Sequence, residues 1–371
     1  MQSLRVYDEL TAARTRFLRV DELCRRAAEK GALPSADDLA AEARLPLKEK
    51  KGLEKAQGQF LAEILANPVA GTHLCHAMLL PRSDSRNHLS EYQKNGELAL
   101  GGVHLKRHGK ASVLTMRNPG YLNAEDETTL EGMEIATDVA LLDPKTEVCV
   151  LRGDAVTHAK YAGKRLFGAG INLTHLYEGK IRYLWYLIRD LGFVNKFYRG
   201  LAAEDQSPEL ASTEKLWIAA VEGFAIGGHC QILLTMDYTI AAQDAYLTLP
   251  ARKEGIIPGA ANLRLPRFVG DRVARQAILA ERRIDCASPE GQMICDEVVP
   301  SAEMDGALAA IIEKLTSSGV VSAAGNRRAF RAGEEPLDTF RRYMAVYARE
   351  QADCHFSPAL IANLEKNWKK Q

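Results

Sequence analysis

Apolar positions recur at helical spacing through residues 1–100. Within 51–65 they fall at Leu53, Ala56, Phe60, Leu61 and Ile64, which is one face of a helix. Ala, Leu, Glu, Lys and Arg dominate this region and β-branched residues are few, so helix is favoured throughout. Ser35 precedes Ala36-Asp37-Asp38 and is the expected N-cap of one of these helices. The polar stretch 81–87 reads as a turn or linker, and Gly101-Gly102 marks a change of texture. Beyond it, short β-type runs alternate with helical ones. Strands are expected at 112–116, 148–151, 217–221 and 237–241, and helices at 126–142 and 179–191. That alternation predicts α/β layering with crossover connections. From Asp271 the pattern is mostly helical, and 327–369 closes with amphipathic helices rich in Arg, Tyr and Phe. The expected organisation is a helical N-terminal region over 1–100, an α/β core over 101–300 and a helical C-terminal segment over 301–371.

Composition narrows the function classes without choosing one. Of 371 residues 46% are apolar, enough for a sizeable soluble core. Lys+Arg and Asp+Glu each number 48, so a bulk surface for nucleic acid is not expected. The seven cysteines form no C-x-x-C, which argues for free thiols in a reducing cytoplasm rather than a disulfide framework or structural zinc. The stretch from Met1 is charged at once, unlike a signal peptide. No apolar run approaches the ~20 residues of a membrane span, so no membrane partner is expected.

Metal chemistry finds little to work with. His73 and His76 have helical spacing but no acidic third ligand nearby. His104 and His108 read as lying across a glycine-containing turn beside Lys106 and Arg107, which repel a cation. No metal site is expected. Nucleophile elbows, phosphate loops and dinucleotide fingerprints are all missing.

Two glycine-containing turns stand out instead. One is Phe167-Gly168-Ala169-Gly170-Ile171-Asn172-Leu173. The other, Gly223-Phe224-Ala225-Ile226-Gly227-Gly228-His229-Cys230-Gln231, follows a strand and opens an apolar run. A helix starting near Gly228 aims free N–H groups at a bound anion. Brought together, the two turns make an oxyanion hole; taken singly, each reads as an ordinary glycine-containing loop.

Four ordered motifs resemble the crotonase (enoyl-CoA hydratase/isomerase) superfamily over about 102–300. They are the first-turn motif at 117–124, the oxyanion turn at 167–172, the turn and helix start at 223–231, and the loop Leu249-Pro250 to Gly255 followed by Ile257-Pro258-Gly259-Ala260. The resemblance implies an α/β, crotonase-type ββα spiral core. It implies an acyl-CoA substrate whose thioester carbonyl is held by the N–H groups of Ile171 and Gly228. Pro119, His158, Ala169, Gly170, Asn172, Ile257, Pro258 and Gly259 fall at its substrate-binding positions. Any of His158, Lys160, Lys164 and Arg165 can pair with the CoA phosphates. A homo-oligomer, trimer or hexamer, is implied as well.

The departures carry further information. The hydratases of the superfamily have a catalytic Glu at the positions held here by Gln231 and Ala251. Neither residue can activate a water, so simple hydration is not expected. This set, with the helical N-terminal extension, resembles a cofactor-independent dioxygenase branch. That branch acts on a dihydroxyphenylacetyl thioester on the way to dihydroxyphenylglycine, a building block of glycopeptide antibiotics. The branch implies O2 as co-substrate, with no metal and no flavin. Glu125, Arg189 and Gln231 become ligands of the phenolic hydroxyls, and Leu173, Ala251 and Ile256, with Ile171, become an apolar oxygen pocket. Taken alone, Glu125 reads as a first-turn acid, Arg189 as a snorkelling surface residue, and the pocket residues as core packing. Another enolate-using acyl-CoA enzyme and a catalytically silent binding module remain as alternatives. No residue stands out as the base that removes the α-proton.

Overall fold

The computed structural model describes residues 2–367. Met1, and Trp368 and Lys369 of the expected closing helices, lie outside them. Up to residue 95 the regular structure is helical: α1 (Gln2–Leu10), α2 (Val20–Glu29), α3 (Ala36–Ala43), α4 (Lys55–Ala66), α5 (Pro68–Leu79) and α6 (Ser85–Asn95). Ser35 caps α3 as expected, its hydroxyl accepting the Asp38 N–H at 3.1 Å. The polar segment expected to be a linker ends at Asp84. Ser85 already opens α6 and donates its hydroxyl to Asp138 at 2.8 Å.

Two expectations fail at the start of the sheet. Residues 97–100, read as helical from their Glu, Leu and Ala, form β1 (Glu97–Leu100), and His104 and His108 lie on β2 (Val103–His108) rather than across a turn. Gly101, at φ +60°, folds the chain back so that Leu100 pairs with Val103. Hairpin geometry thus overrides local helix propensity.

The chain continues through β3 (Ala111–Met116), α7 (Glu127–Leu142), β4 (Val148–Gly153), α8 (Leu173–Tyr177), α9 (Tyr183–Leu191), α10 (Phe193–Arg199) and β5 (Leu216–Val221). Then come β6 (Phe224–Ile226), α11 (Gly228–Leu233), β7 (Tyr238–Ala242), β8 (Tyr246–Thr248), α12 (Ala251–Glu254) and α13 (Ala261–Leu279). The rest is β9 (Ile284–Asp285), β10 (Glu297–Val299), α14 (Met304–Thr316), α15 (Val320–Glu334), α16 (Leu337–His355) and α17 (Pro358–Asn367). Helix therefore resumes at Ala261, before the expected Asp271, and two short strands interrupt it.

The main sheet has the order β1-β2-β3-β4-β5-β7-β10, antiparallel across β1, β2 and β3 and parallel from β3 onward. Residues 148–151 and 217–221 are buried throughout, as expected for parallel strands covered on both faces. A second sheet, β6-β8-β9, stands beside it. Both glycine turns follow the carboxyl ends of neighbouring parallel strands, β4 and β5, the edge at which such sheets present their sites.

One apolar cluster runs from the N-terminal helices through the sheet to α16. Helix α16 packs on α4, α5 and α9. Gly58 permits the approach: a Cβ there would stand 2.6 Å from Ala352 Cβ. Among the described residues no single helix is long and apolar enough to cross a membrane.

Candidate active site

The first turn is stitched to the second by backbone. The Gly168 N–H donates to Phe224 O at 3.2 Å, and Gly168 O accepts the Ile226 N–H at 3.0 Å. On its other side, the Glu125 N–H donates to Gly170 O at 2.7 Å and the Asn172 N–H to Glu125 O at 2.8 Å. These two bonds flank Ile171, so its own N–H points away from Glu125. In the second turn Gly227, at φ +54°, donates its N–H to Thr248 O at 2.9 Å. Gly228 is the first residue of α11, where an N–H has no acceptor within the helix. The turns abut at Gly170: at its φ of +77° a Cβ would lie 2.7 Å from Ile226 O and 3.1 Å from the Gly228 nitrogen. The N–H groups of Ile171 and Gly228 are thus carried on touching turns.

His229, which sequence reasoning passed over, locks this arrangement. Its Nδ1 accepts the Gly170 N–H at 2.9 Å, and its Nε2 lies 3.0 Å from Met116 Sδ. A neutral ring that accepts at Nδ1 carries its proton on Nε2. Burial draws its pKa down to about 4, so the ring is neutral at pH 7. A Cβ on Gly168 would stand 2.2 Å from Nε2, so glycine there makes room for the imidazole. The only sequence signal was its place inside a glycine motif.

Below the turns lies a buried polar network. Arg189 of α9 donates Nε to Glu125 Oε2 at 2.5 Å and a second guanidinium nitrogen to Oε1 at 2.8 Å. It also donates to Asp190 Oδ1 at 2.8 Å, to Gly228 O at 2.9 Å and to Gln231 Oε1. Gln231 Nε2 in turn donates to Asp190 Oδ1 at 2.7 Å. Burial pushes the Glu125 carboxyl up, but Arg189 outweighs it and holds it below the usual carboxylate range. Asp190 moves the other way, raised by burial against the pull of Arg189. Sequence patterning gave no reason to single out Asp190.

A cavity of about 30 Å³ sits between network and turns, lined among others by Ile171, Gly228, Arg189, Gln231, Glu254 and Tyr347. That is room for a water or two. Its far wall is the loop 256–259, fastened to α16: the Ile257 N–H donates to Gln351 Oε1 at 2.8 Å, and the Tyr343 hydroxyl donates to Gly259 O. The Glu254 side chain is 5% exposed, and burial pushes its carboxyl up to about 7.

The sequence profile of the enoyl-CoA hydratase/isomerase family matches residues 107–353. The chain belongs to this family. It is 46% identical over 350 residues to the (3,5-dihydroxyphenyl)acetyl-CoA 1,2-dioxygenase of Amycolatopsis orientalis, covering 94% of this chain and 80% of that one. It is 27% identical over 244 residues to the short-chain-enoyl-CoA hydratase of Clostridium acetobutylicum, covering 65% and 86% of the two chains. Among solved structures, an enoyl-CoA hydratase from Mycobacterium avium subsp. paratuberculosis superposes with a TM-score of 0.60 at 20% identity, over 74% of this chain and 98% of that one. The crotonase-type α/β fold expected from the motifs is the fold observed.

Measured against the family's motifs, the structure gathers some expected residues and separates others. Ile171, Gly228, Gln231, Arg189, Ile256, Ile257, Pro258 and Gly259 line the cavity, and Glu125 lies immediately behind Arg189. Glu125 precedes the α7 cap Asp126 and is not a first-turn acid, and Arg189 is 2% exposed and not a snorkelling residue. Gly170 and Ala169 belong to the turn itself, their N–H groups going to His229 and Leu122 O. Asn172 does not offer its amide to a ligand: Oδ1 caps α8 at His175 N and Nδ2 donates to Asp126. Pro119 opens a one-turn helix, Pro119–Tyr121, outside the cavity.

Of the oxygen-pocket candidates Ile256 and Ile171 reach the cavity. Ala251 is buried in the main core, and Leu173 is half-buried at the start of α8. His158, Lys160, Lys164 and Arg165 are all exposed. Among these, Lys160 lies 5.1 Å from the Tyr161 ring centroid and Arg165 is 3.7 Å from Asp154.

Proposed function

We propose that the protein converts 3,5-dihydroxyphenylacetyl-CoA and O2 to 3,5-dihydroxyphenylglyoxylate and CoA, with neither metal nor flavin. The observation that carries this reading is the 46% identity to the Amycolatopsis orientalis dioxygenase across nearly the whole chain. The loss of both hydratase acids, at Gln231 and Ala251, supports it.

The α-carbon of such a substrate lies between an aryl ring and a thioester, and both delocalise a carbanion. The N–H groups of Ile171 and Gly228 stabilise the enolate oxygen, an effect of a few kcal/mol in a dry site. Arg189, oriented by Glu125 and Gln231, faces the ring hydroxyls. The enolate passes an electron to O2, and recombination at the α-carbon gives a peroxide. Attack on the thioester carbonyl expels CoA, and O–O cleavage leaves the aryl glyoxylate. All atoms of O2 enter the product, and both α-hydrogens leave as protons. The exposed cations between His158 and Arg165 provide for the CoA phosphates.

Because the cavity has room for only a water or two, turnover includes an opening step. A homo-oligomer, trimer or hexamer, in the cytoplasm and a role in dihydroxyphenylglycine supply complete the reading. The test is O2 uptake and CoA release from the named thioester, with chelator and without added metal. Strict dependence on added iron overturns it. Equal turnover under argon favours a decarboxylase or isomerase instead, and tight binding without turnover favours a silent binding module.

A further inference from the structure

We propose that Glu254 is the general base that removes the α-proton of the bound thioester, an inference that rests on the enolate-forming reading above. The other groups around the cavity are already engaged. Both Glu125 oxygens are held by Arg189, Asp190 Oδ1 accepts from Arg189 and Gln231, and both nitrogens of His229 face partners inside the protein. Tyr186 and Tyr347 are driven far above their ordinary range by burial, so neither is an anion at neutral pH. The Glu254 carboxylate accepts no hydrogen bond and joins no ion pair among the described residues. Yet it is 95% buried and lines the cavity.

Its position suits the reaction. Glu254 Oε2 lies 3.8 Å from the point where a Cβ on Gly227 would stand. The next residue, Gly228, lines the same cavity and carries the N–H assigned above to the enolate oxygen. A carbonyl oxygen about 2.9 Å from that nitrogen puts the α-carbon two bonds further on, in the small cavity that Glu254 also lines. Glu254 also shares a helix face with Ala251, three residues earlier on the single turn of α12. An acid one turn along therefore serves the face where Ala251 has none. Gly255, at φ +78°, ends that turn against α17, where a Cβ would stand 3.1 Å from Leu360 Cα.

The step balances without a co-reactant. The Cα–H bond breaks, its electron pair becomes the enolate double bond, and the carbonyl pair moves onto the oxygen held by the two N–H groups. The proton passes to the Glu254 carboxylate and later to the departing CoA thiolate. The charged and titratable groups facing Glu254 are Arg189, Asp190 and Tyr186 from α9, Tyr347 from α16, Lys253 on its own helix and Glu281 beyond α13. With burial dominant, activity rises with pH through about 7.

The experiment is anaerobic exchange of the α-protons of 3,5-dihydroxyphenylacetyl-CoA in D2O, followed by mass spectrometry. The native protein is expected to exchange them. Glu254→Gln is expected to lose at least about 100-fold in exchange rate while binding phenylacetyl-CoA within threefold of native. Glu254→Ala is expected to regain exchange on addition of acetate, which a structural role does not allow. If Glu254→Gln fails to fold, the acetate response and the pH limb of the native protein decide. Native exchange with undiminished exchange in Glu254→Gln overturns the base assignment alone. A native protein that neither exchanges protons nor consumes O2 overturns the functional reading with it.

Discussion

Arg189 grips both carboxylate oxygens of Glu125, at 2.5 and 2.8 Å, with neither residue more than 2% exposed. A buried bidentate pair of this kind is strong only while both partners remain. Arg189→Met and Glu125→Leu are each expected to cost about 3–5 kcal/mol of stability, read from denaturant unfolding. The double variant is expected to lie closer to native than either single one. Additive losses in the double-mutant cycle contradict the pairing.

Gly170→Ala tests the junction of the turns. Its methyl group would press on Ile226 O and on the Gly228 nitrogen, at a backbone φ of +77° that side chains rarely adopt. Enolate formation is expected to fall at least about 100-fold, with native-like far-UV circular dichroism. Turnover within threefold of native removes Ile171 and Gly228 from the oxyanion role.

Gln231→Glu replaces the amide nitrogen that donates to Asp190 Oδ1 with an oxygen. Two carboxylates then face each other, and one must hold a proton to restore the bond. The activity of this variant relative to native is expected to be about tenfold lower at pH 8 and to recover as pH falls toward 6. A ratio independent of pH shows that the amide is not in contact with the reacting system.

Acid stability follows from the histidines. Burial lowers His229 to about 4, and His73 likewise, with His355 lower still at about 3. A histidine with a depressed folded pKa stabilises fully above its unfolded value near 6.5, and that stability is lost as pH falls. The protein is therefore expected to lose stability between pH 6.5 and 4, on the order of 3 kcal/mol for His229 alone. A melting temperature unchanged from pH 7 to pH 5 contradicts this. His229→Gln is expected to flatten the slope.

Much of this site is legible in the sequence because its chemistry sits on contiguous motifs. The turns at 167–172 and 223–231 were found from their glycines. Arg189 and Gln231 came from positions matched to the family, and the strands at 148–151 and 217–221 from short β-type apolar runs. What escaped depends on contacts distant in sequence. Asp190 and His229 sit next to identified residues, yet their roles come from partners on other elements. Glu254 is one charged residue in Arg252-Lys253-Glu254, and nothing local says that its neighbours face outward while it faces the cavity. The β1–β2 hairpin escaped for a different reason, since Glu, Leu and Ala favour helix until two glycines turn the chain back.

The packing of α16 sets an order of assembly. Arg341 of that helix donates to Leu65 O at the end of α4, Tyr183 of α9 donates to Ala348 O, and Tyr347 closes the cavity between them. During synthesis α4 emerges long before α16, with the sheet made in between. Both glycine turns and Arg189 are therefore synthesised before the wall beside them. The catalytic pocket is finished only when a late helix slots between one of the earliest and one from mid-chain. Contacts of such separation slow folding, so the pocket depends on chain segments made 276 residues apart.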